Sequence, residues 1–304
     1  MTPVKMHDGE VGTNPSLVHR LLAAQFPQWA DLPIKPVASA GTDNALYRLG
    51  DDMAVRLPRI DWTTEQVDKE HQWLPRLAPF LPLAIPVPLV KGKPGQGYPW
   101  DWSVYRWLDG QNATIERLTD PRQAAIDLAQ FIAALQRIDP TGGPPPGSHG
   151  LSRGKPLATR DTFTREAIAA LRGTLDADAV TAVWDAAIKA PAWHGPPVWL
   201  HADLQSGNLL ATQGRLSAVI DFGCLTVGDP AFDVMTAWLY LPAEVRNVFR
   251  AALQVDDATW VRARGLALSV GLIALPYYQQ TNPVLAEIAR RAIDEALADY
   301  RASQ

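Results

Sequence analysis

Apolar and polar positions change period several times along the chain, and each change marks an element. Leu17, Val18, Leu21, Leu22 and Phe26 fall on one face behind Pro15, which predicts an amphipathic helix over 14–29. Short β-type runs follow at 34–37, 45–49 and 53–57, separated by turn-forming residues at 41–44 and 50–52. Thr63 and Gln66 have capping-box spacing at the start of a helix predicted over 63–74. Two apolar runs, 85–90 and 102–108, flank the Gly/Pro-rich stretch 91–99, as in a hairpin with a long turn. The first third therefore predicts a mostly antiparallel sheet with one inserted helix.

After Asp109-Gly110 the period becomes helical. Asp120-Pro121 reads as an N-cap and first helical residue, and Leu128, Phe131, Ile132 and Leu135 repeat at helical spacing. Residues 139–158 are rich in Pro and Gly and read as a long loop, followed by helices over 160–172 and 176–189. Beyond residue 229 the chain reads as helix, punctuated by Pro230, Pro242, Pro276 and Pro283. One β-type island, 198–222, lies between the helical blocks. The expected fold class is α+β, with a β-rich part over 1–106 and a helical part over 107–304 that contains one hairpin.

Composition narrows the function classes. Of 304 residues, 47% are hydrophobic and 20% charged, enough for a sizeable core and against global disorder. The net charge of −4 argues against a nucleic-acid binder that works by general basicity. Cys224 is the only cysteine, which excludes an internal disulfide or a Cys-rich zinc site and fits a reducing, cytoplasmic compartment. The first residues lack a signal-peptide core. The longest apolar stretch, 265–276, is shorter than the ~20 residues a membrane helix needs, so no membrane partner is expected.

The island carries the chemistry: His201-Ala-Asp203-Leu-Gln-Ser-Gly-Asn208, then Gly214 at a turn, then Ile220-Asp221-Phe222-Gly223. A turn at 214–215 would set Asn208 opposite Asp221, an amide oxygen beside a carboxylate, which is a hard-oxygen pair suited to Mg²⁺. Asp203, in the loop entering the hairpin, would lie near such a metal without holding it, as a base or orienting carboxylate must.

These residues resemble the protein-kinase fold in its small-molecule branch, the aminoglycoside phosphotransferase family. Residues 201–208 match H-x-D-x-x-x-x-N, 221–223 match D-F-G, and Gly228-Asp229-Pro230-Ala231-Phe232-Asp233 matches G-D-P-x-x-D. The resemblance implies a bilobal kinase-like fold and a small-molecule kinase that transfers the γ-phosphoryl group of ATP, or GTP, to a hydroxyl of an aminoglycoside-like antibiotic or related small molecule. It makes Asp203 the catalytic aspartate, Asn208 and Asp221 the Mg²⁺ ligands, and His201 a brace of the catalytic loop. It sets Gly41 and Thr42 in a nucleotide loop over the phosphates, although G-x-G-x-x-G is missing there. Arg56 stands where V-A-I-K has its lysine, with Glu70 as its ion-pair partner. Residues 103–107, with Val104 and Arg106, become the hinge whose backbone would bind a purine.

Several blander or competing readings stand beside these. Arg56 alone suits a surface ion pair, and the Gly41 loop an ordinary hairpin turn. Asp229 before Pro230 suits an N-cap, and Asp233 either braces the catalytic loop or is a solvated helix residue. Trp238, Trp260, Tyr277 and Tyr278 lie in the region that would form the acceptor pocket, but each suits core packing. The acceptor could instead be a metabolite such as a sugar, an amino alcohol or homoserine. Residues 1–106 carry no net charge and 107–304 carry −4, too small an excess to specify a polycation. A metal-dependent hydrolase built on His201-x-Asp203 would need further ligands, which the six histidines hardly supply. An inactive nucleotide-binding scaffold would have Arg56 as its one supporting feature.

Overall fold

The computed structural model describes residues 10–38, 43–147 and 153–304. They form two compact units. The first gathers the described residues of Met1–Pro79 with Ala84–Gly110 and Ala218–Gly223, and the second holds Phe80–Leu83, Gln111–Ser217 and Cys224–Gln304.

In the first unit, α1 (Pro15–Gln25) starts where Asn14 accepts the Leu17 N–H at 2.9 Å and Pro15 takes a position whose N–H would be unpaired anyway. A five-stranded antiparallel sheet follows in the order β1 (Ile34–Pro36), β2 (Asn44–Leu49), β3 (Met53–Pro58), β5 (Trp102–Arg106), β4 (Pro88–Gly92). Inner residues alternate along β2, and Ala45, Tyr47 and Leu49 join Val55, Leu57, Trp102 and Val104 in a core that α1 closes with Leu17, Val18, Leu21 and Leu22. Each fully buried Leu or Val contributes about 1.5–3 kcal/mol.

Helix α2 (Thr64–Leu77) buries Val67, Glu70, Trp73, Leu74 and Leu77, a stripe in which Glu70 is the one charge. The capping box is not made. Thr63 has helical backbone angles and its hydroxyl donates to Ile60 O at 2.7 Å, because a 3₁₀ turn over Asp61–Thr63 already precedes the helix.

Further along the chain, β6 (Gln111–Asn112) pairs with β8 (Leu209–Thr212), and β8 with β9 (Arg215–Val219). The hairpin turn is Gln213–Gly214, both at positive φ (52° and 76°), the geometry of a two-residue hairpin loop. It lies one place earlier than 214–215. The cross-strand register therefore moves by two places, and the pairing that set Asn208 opposite Asp221 does not hold. Strand β7 (Val198–Leu200) pairs separately with β10 (Thr226–Gly228).

The remaining mass is helical: α3 (Pro121–Arg137), α4 (Asp161–Ala170), α5 (Ala177–Lys189), α6 (Ala231–Val234), α7 (Thr236–Leu239), α8 (Ala243–Leu253), α9 (Asp257–Tyr278) and α10 (Pro283–Ala302). Asp120 caps α3 by accepting the Arg122 and Gln123 N–H groups. Helix α9 runs through Pro276 rather than breaking there, and at 22 residues it is longer than the apolar run 265–276. By length and composition it passes a membrane-helix test, yet it packs against α10, α5, α6 and α4, with 72% of its most apolar window buried.

Candidate active site

The first unit assembles a cluster around Arg56. The residue sits on β3, in register with Leu46 on β2 and Ser103 on β5. Its Nη1 donates to both Glu70 oxygens, at 2.6 and 2.7 Å, and its Nη2 donates to Asp221 Oδ1 at 2.7 Å. Tyr105 OH makes a very short bond to Glu70 Oε2. With its amide oxygen turned toward the guanidinium, Asn44 accepts from Arg56 Nη2 at 2.9 Å. Burial opposes the charge on Arg56, but the carboxylates of Glu70 and Asp221 outweigh it and hold its pKa well above the ordinary guanidinium value.

Glu70 lies on the apolar stripe of α2 because Arg56 meets it there; alone, a carboxylate so buried would be costly. Asp221 has φ of 61°, an uncommon conformation for a residue with a side chain, and Lys69 Nζ donates to Gly223 O at 2.6 Å just beyond it. One Asp221 oxygen is thus spent on Arg56, and the carboxylate side chain is 43% exposed.

The second unit assembles a cluster around Asp203. Asn208 Nδ2 donates to Asp203 Oδ2 and to Asp203 O, each at 2.8 Å. Both bonds use the amide nitrogen, which leaves the amide oxygen without a protein hydrogen bond among the described residues. Arg153 Nη1 donates to Asp203 Oδ1 at 2.7 Å and makes a very short bond to Ala202 O. Burial is the largest single influence on Arg153 and opposes its charge, but Asp203, by charge and hydrogen bond, together with Cys224 and Tyr278 holds its pKa above the ordinary guanidinium value.

The loop itself is fixed from behind. Asp233, fully buried, accepts the His201 N–H at 3.0 Å and the Ala202 N–H at 2.7 Å. That fastens Ala202, whose φ of 63° is strained for a residue with a Cβ. His201 Nδ1 accepts the Asp203 N–H at 3.2 Å, so this buried ring braces the loop. Burial pushes the Asp233 carboxyl up to about 7, against the two backbone donors that favour its charge.

Asp229 does two jobs. It accepts the Ala231 N–H at 2.9 Å at the head of α6 and forms a two-bond pair with Arg262 of α9 at 2.9 and 3.0 Å. Gly228 is required by close approach, since a Cβ there would meet Gly154 O at 2.2 Å.

Other expected site residues fall elsewhere. Gly41 and Thr42 lie outside the described residues. Val104 is fully buried on the inner strand β5, between Val55 and Val90, and its backbone belongs to the sheet. Arg106 is exposed, its N–H donates to Val87 O at 3.2 Å, and its side chain pairs with Asp52 at 3.5 Å. The Trp107 N–H donates to Asp52 O at 2.7 Å. The N–H groups of Arg106 and Trp107 are thus engaged within the sheet unit. Trp238 and Trp260 pack on each other at 4.6 Å between ring centres in the core, whereas Tyr277 is exposed. Among the described residues no three His, Cys, Asp or Glu side chains cluster as a metal site of their own.

Arg153 escaped the sequence reading, and Asn44 and Tyr105 fell inside the expected nucleotide loop and hinge without their bonds to Arg56 and Glu70 being foreseen. Glu70 on an apolar stripe was a signal for a buried network; nothing local pointed to Arg153.

A sequence profile of the phosphotransferase enzyme family (APH) matches residues 34–266, more than half of the chain and including both clusters. The chain belongs to the phosphotransferase enzyme family. Among curated proteins, none matches it by sequence. Solved structures give the same fold. The GDP and kanamycin complex of APH(2")-IIia superposes with a TM-score of 0.74 at 20% identity, over 93% of this chain and 98% of that one. The apoenzyme of the macrolide 2'-phosphotransferase MphH from Brachybacterium faecium gives 0.62 at 22% identity, over 92% and 98%. At such identities the likeness concerns the fold, which is the kinase-like α+β fold expected from the motifs. The phosphotransferase thus presents one cluster on its sheet unit and one on its helical unit.

Proposed function

We propose that this phosphotransferase is a small-molecule kinase that moves the γ-phosphoryl group of a nucleoside triphosphate, ATP or GTP, to a hydroxyl of a small acceptor. The observation that carries this reading is the state of Asp203. It is held by Asn208 and Arg153 on separate oxygens while its side chain stays 29% exposed. A turn or capping aspartate has no need of two side-chain clamps. A carboxylate that must orient a hydroxyl does, and each of its oxygens keeps a lone pair for the acceptor O–H.

In the reaction, the acceptor oxygen attacks the γ-phosphorus, the bond from that phosphorus to the β,γ-bridging oxygen breaks, and the nucleoside diphosphate leaves. The acceptor proton passes to Asp203. Arg56 supports the nucleotide phosphates from β3, where its cation is kept charged by Glu70 and Asp221.

Asn208, through its amide oxygen, and Asp221, through the oxygen not bonded to Arg56, are each hard-oxygen donors of the kind Mg²⁺ takes. When bound, that ion supplies neutralisation of the phosphate oxygens. The similar structures include a complex of APH(2")-IIia with GDP and kanamycin and the apoenzyme of a macrolide 2'-phosphotransferase. Antibiotics of these classes and hydroxylated metabolites are the acceptors to compare. The test is release of labelled ADP from ATP and of labelled GDP from GTP across such a panel. Acceptor-dependent turnover that disappears in Asp203→Asn supports the reading; nucleotide binding without turnover on any acceptor points to an inactive scaffold.

A further inference from the structure

Arg153 lies 50 positions before Asp203 in sequence, in the segment between α3 and α4, and is no part of the matched motifs. Backbone contacts dock that segment. Gly154, at φ +88°, lies against Gly228 with no room for a Cβ between them, and the Asp229 N–H donates to Gly154 O at 3.3 Å. The guanidinium is therefore delivered by anchored chain, and 22% of its side chain is exposed.

Among the described residues Arg153 is engaged through Nη1. Among the described residues, Nε and Nη2 make no hydrogen bond, so several N–H donors of a permanent cation face the surroundings of Asp203. A hydroxyl that donates to Asp203 Oδ1 lies within about 5 Å of this guanidinium, given typical hydrogen-bond lengths.

The charge around this point favours anions. Arg153 neutralises Asp203. Buried Arg160 lies near enough for Arg153 to help depress its pKa, after burial as the larger cause. Residues 265–282, which bring Tyr278 close to Arg153, contain no Asp or Glu. Asp233 adds a second carboxylate near Arg153 and Asp203, but it is fully buried and both its oxygens accept backbone N–H groups, so a polyamine finds no exposed surplus carboxylate, whereas an oxyanion finds ready donors.

We infer that Arg153 is a specificity-determining residue, and that the acceptor is a hydroxyl compound bearing a carboxylate or phosphate near the reacting hydroxyl rather than a polycation. The inference rests on the reading of Asp203 as the residue that orients the acceptor. Asp203 offsets much of the guanidinium's long-range field, so the discrimination comes from a charge-assisted hydrogen bond between the anion and an N–H of Arg153, which separates the affinities by about tenfold or more.

The test uses the nucleotide-loaded protein and four probes on one scaffold, gluconate, glucose 6-phosphate, glucose and glucosamine, with kanamycin as a polycation. Dissociation constants are read by calorimetry. The expected order sets one or both anions about tenfold tighter than glucose and glucosamine, and shows which anion fits. Arg153→Lys should keep the order, Arg153→Gln should level it, and Arg153→Glu should reverse it. Cooperative melting and unchanged nucleotide affinity show that each variant is folded. Glucosamine or kanamycin binding as tightly as the anions overturns the inference. So does an order that survives in Arg153→Gln, or the lack of saturable binding by either anion. Asp203→Asn separates this from the kinase reading: it should lose turnover while binding the anions more tightly. Turnover that persists in Asp203→Asn counts against the role of Asp203 and leaves the binding order as an independent result.

Discussion

Replacing Arg56 by methionine tests the sheet-unit cluster most directly. Glu70 is almost fully buried, with its side chain 2% exposed, and in the variant only the Tyr105 hydroxyl would still bond it. Breaking a buried pair from one side leaves an uncompensated charge and costs about 3–5 kcal/mol. That is a large part of the ~5–15 kcal/mol by which most domains are stable. The bond to Asp221 adds less, because that carboxylate is 43% exposed and water replaces the lost partner. Arg56→Lys should cost roughly 1–3 kcal/mol, since one ammonium does not reproduce a fork that spans two carboxylates. The decisive variant is the double one, Arg56→Met with Glu70→Gln. Neutral residues of similar volume carry little desolvation cost, so the double variant should regain most of the stability lost in Arg56→Met. It should not regain nucleotide affinity, which falls about ten- to a hundredfold when charge-assisted bonds to phosphate are lost. Urea unfolding and titration with a fluorescent nucleotide report the two quantities separately. If Arg56→Met costs less than about 1 kcal/mol, or if the double variant is no more stable than it, the buried-pair argument fails.

Asp203→Asn should melt like the parent protein and lose about 10²–10⁴-fold in phosphoryl transfer, as loss of a general base does; near-parental turnover would remove Asp203 from the mechanism. Asp221→Ala should abolish, and Asn208→Ala weaken, the Mg²⁺ dependence of turnover, since one loses a charged ligand and the other a neutral one; unchanged metal titrations in both would exclude these residues as ligands. Asp233→Ala strips the partners of two buried N–H groups, at about 1–3 kcal/mol each, so it should loosen the 201–208 loop and raise amide exchange there. The Asp233 carboxyl also predicts a pH effect. Its folded pKa, about 7, stands above the ordinary 3.8. The folded chain therefore keeps a proton that the unfolded chain has lost, and this group's contribution is full below pH 4 and declines as pH rises to 7. Stability curves of the parent protein and Asp233→Asn should diverge across that window and run parallel outside it.

Much of this protein was legible from its residues. Period-two and period-3.6 patterns located β2, β3, α1 and α3, because each is set by neighbours a few positions apart. The motif from His201 to Asn208 was visible for the same reason: it is one short loop, and Asn208 bonds the carboxylate five residues before it. Where local rules compete, sequence arithmetic went astray. Thr63 spends its hydroxyl on a preceding 3₁₀ turn, Pro276 is carried inside a packed α9, and a turn displaced by one residue moves the β8–β9 register by two. Sequence could offer Asp233 as a brace or a solvated residue; burial and two backbone bonds decide between them. The long-range partners belong to tertiary structure alone. Asp221 reaches Arg56 across 165 positions and Arg153 reaches Asp203 across 50. No local period encodes such pairs. They exist because folding removes their neighbourhoods from water, where an unpaired charge is too costly to keep and a paired one becomes part of the site.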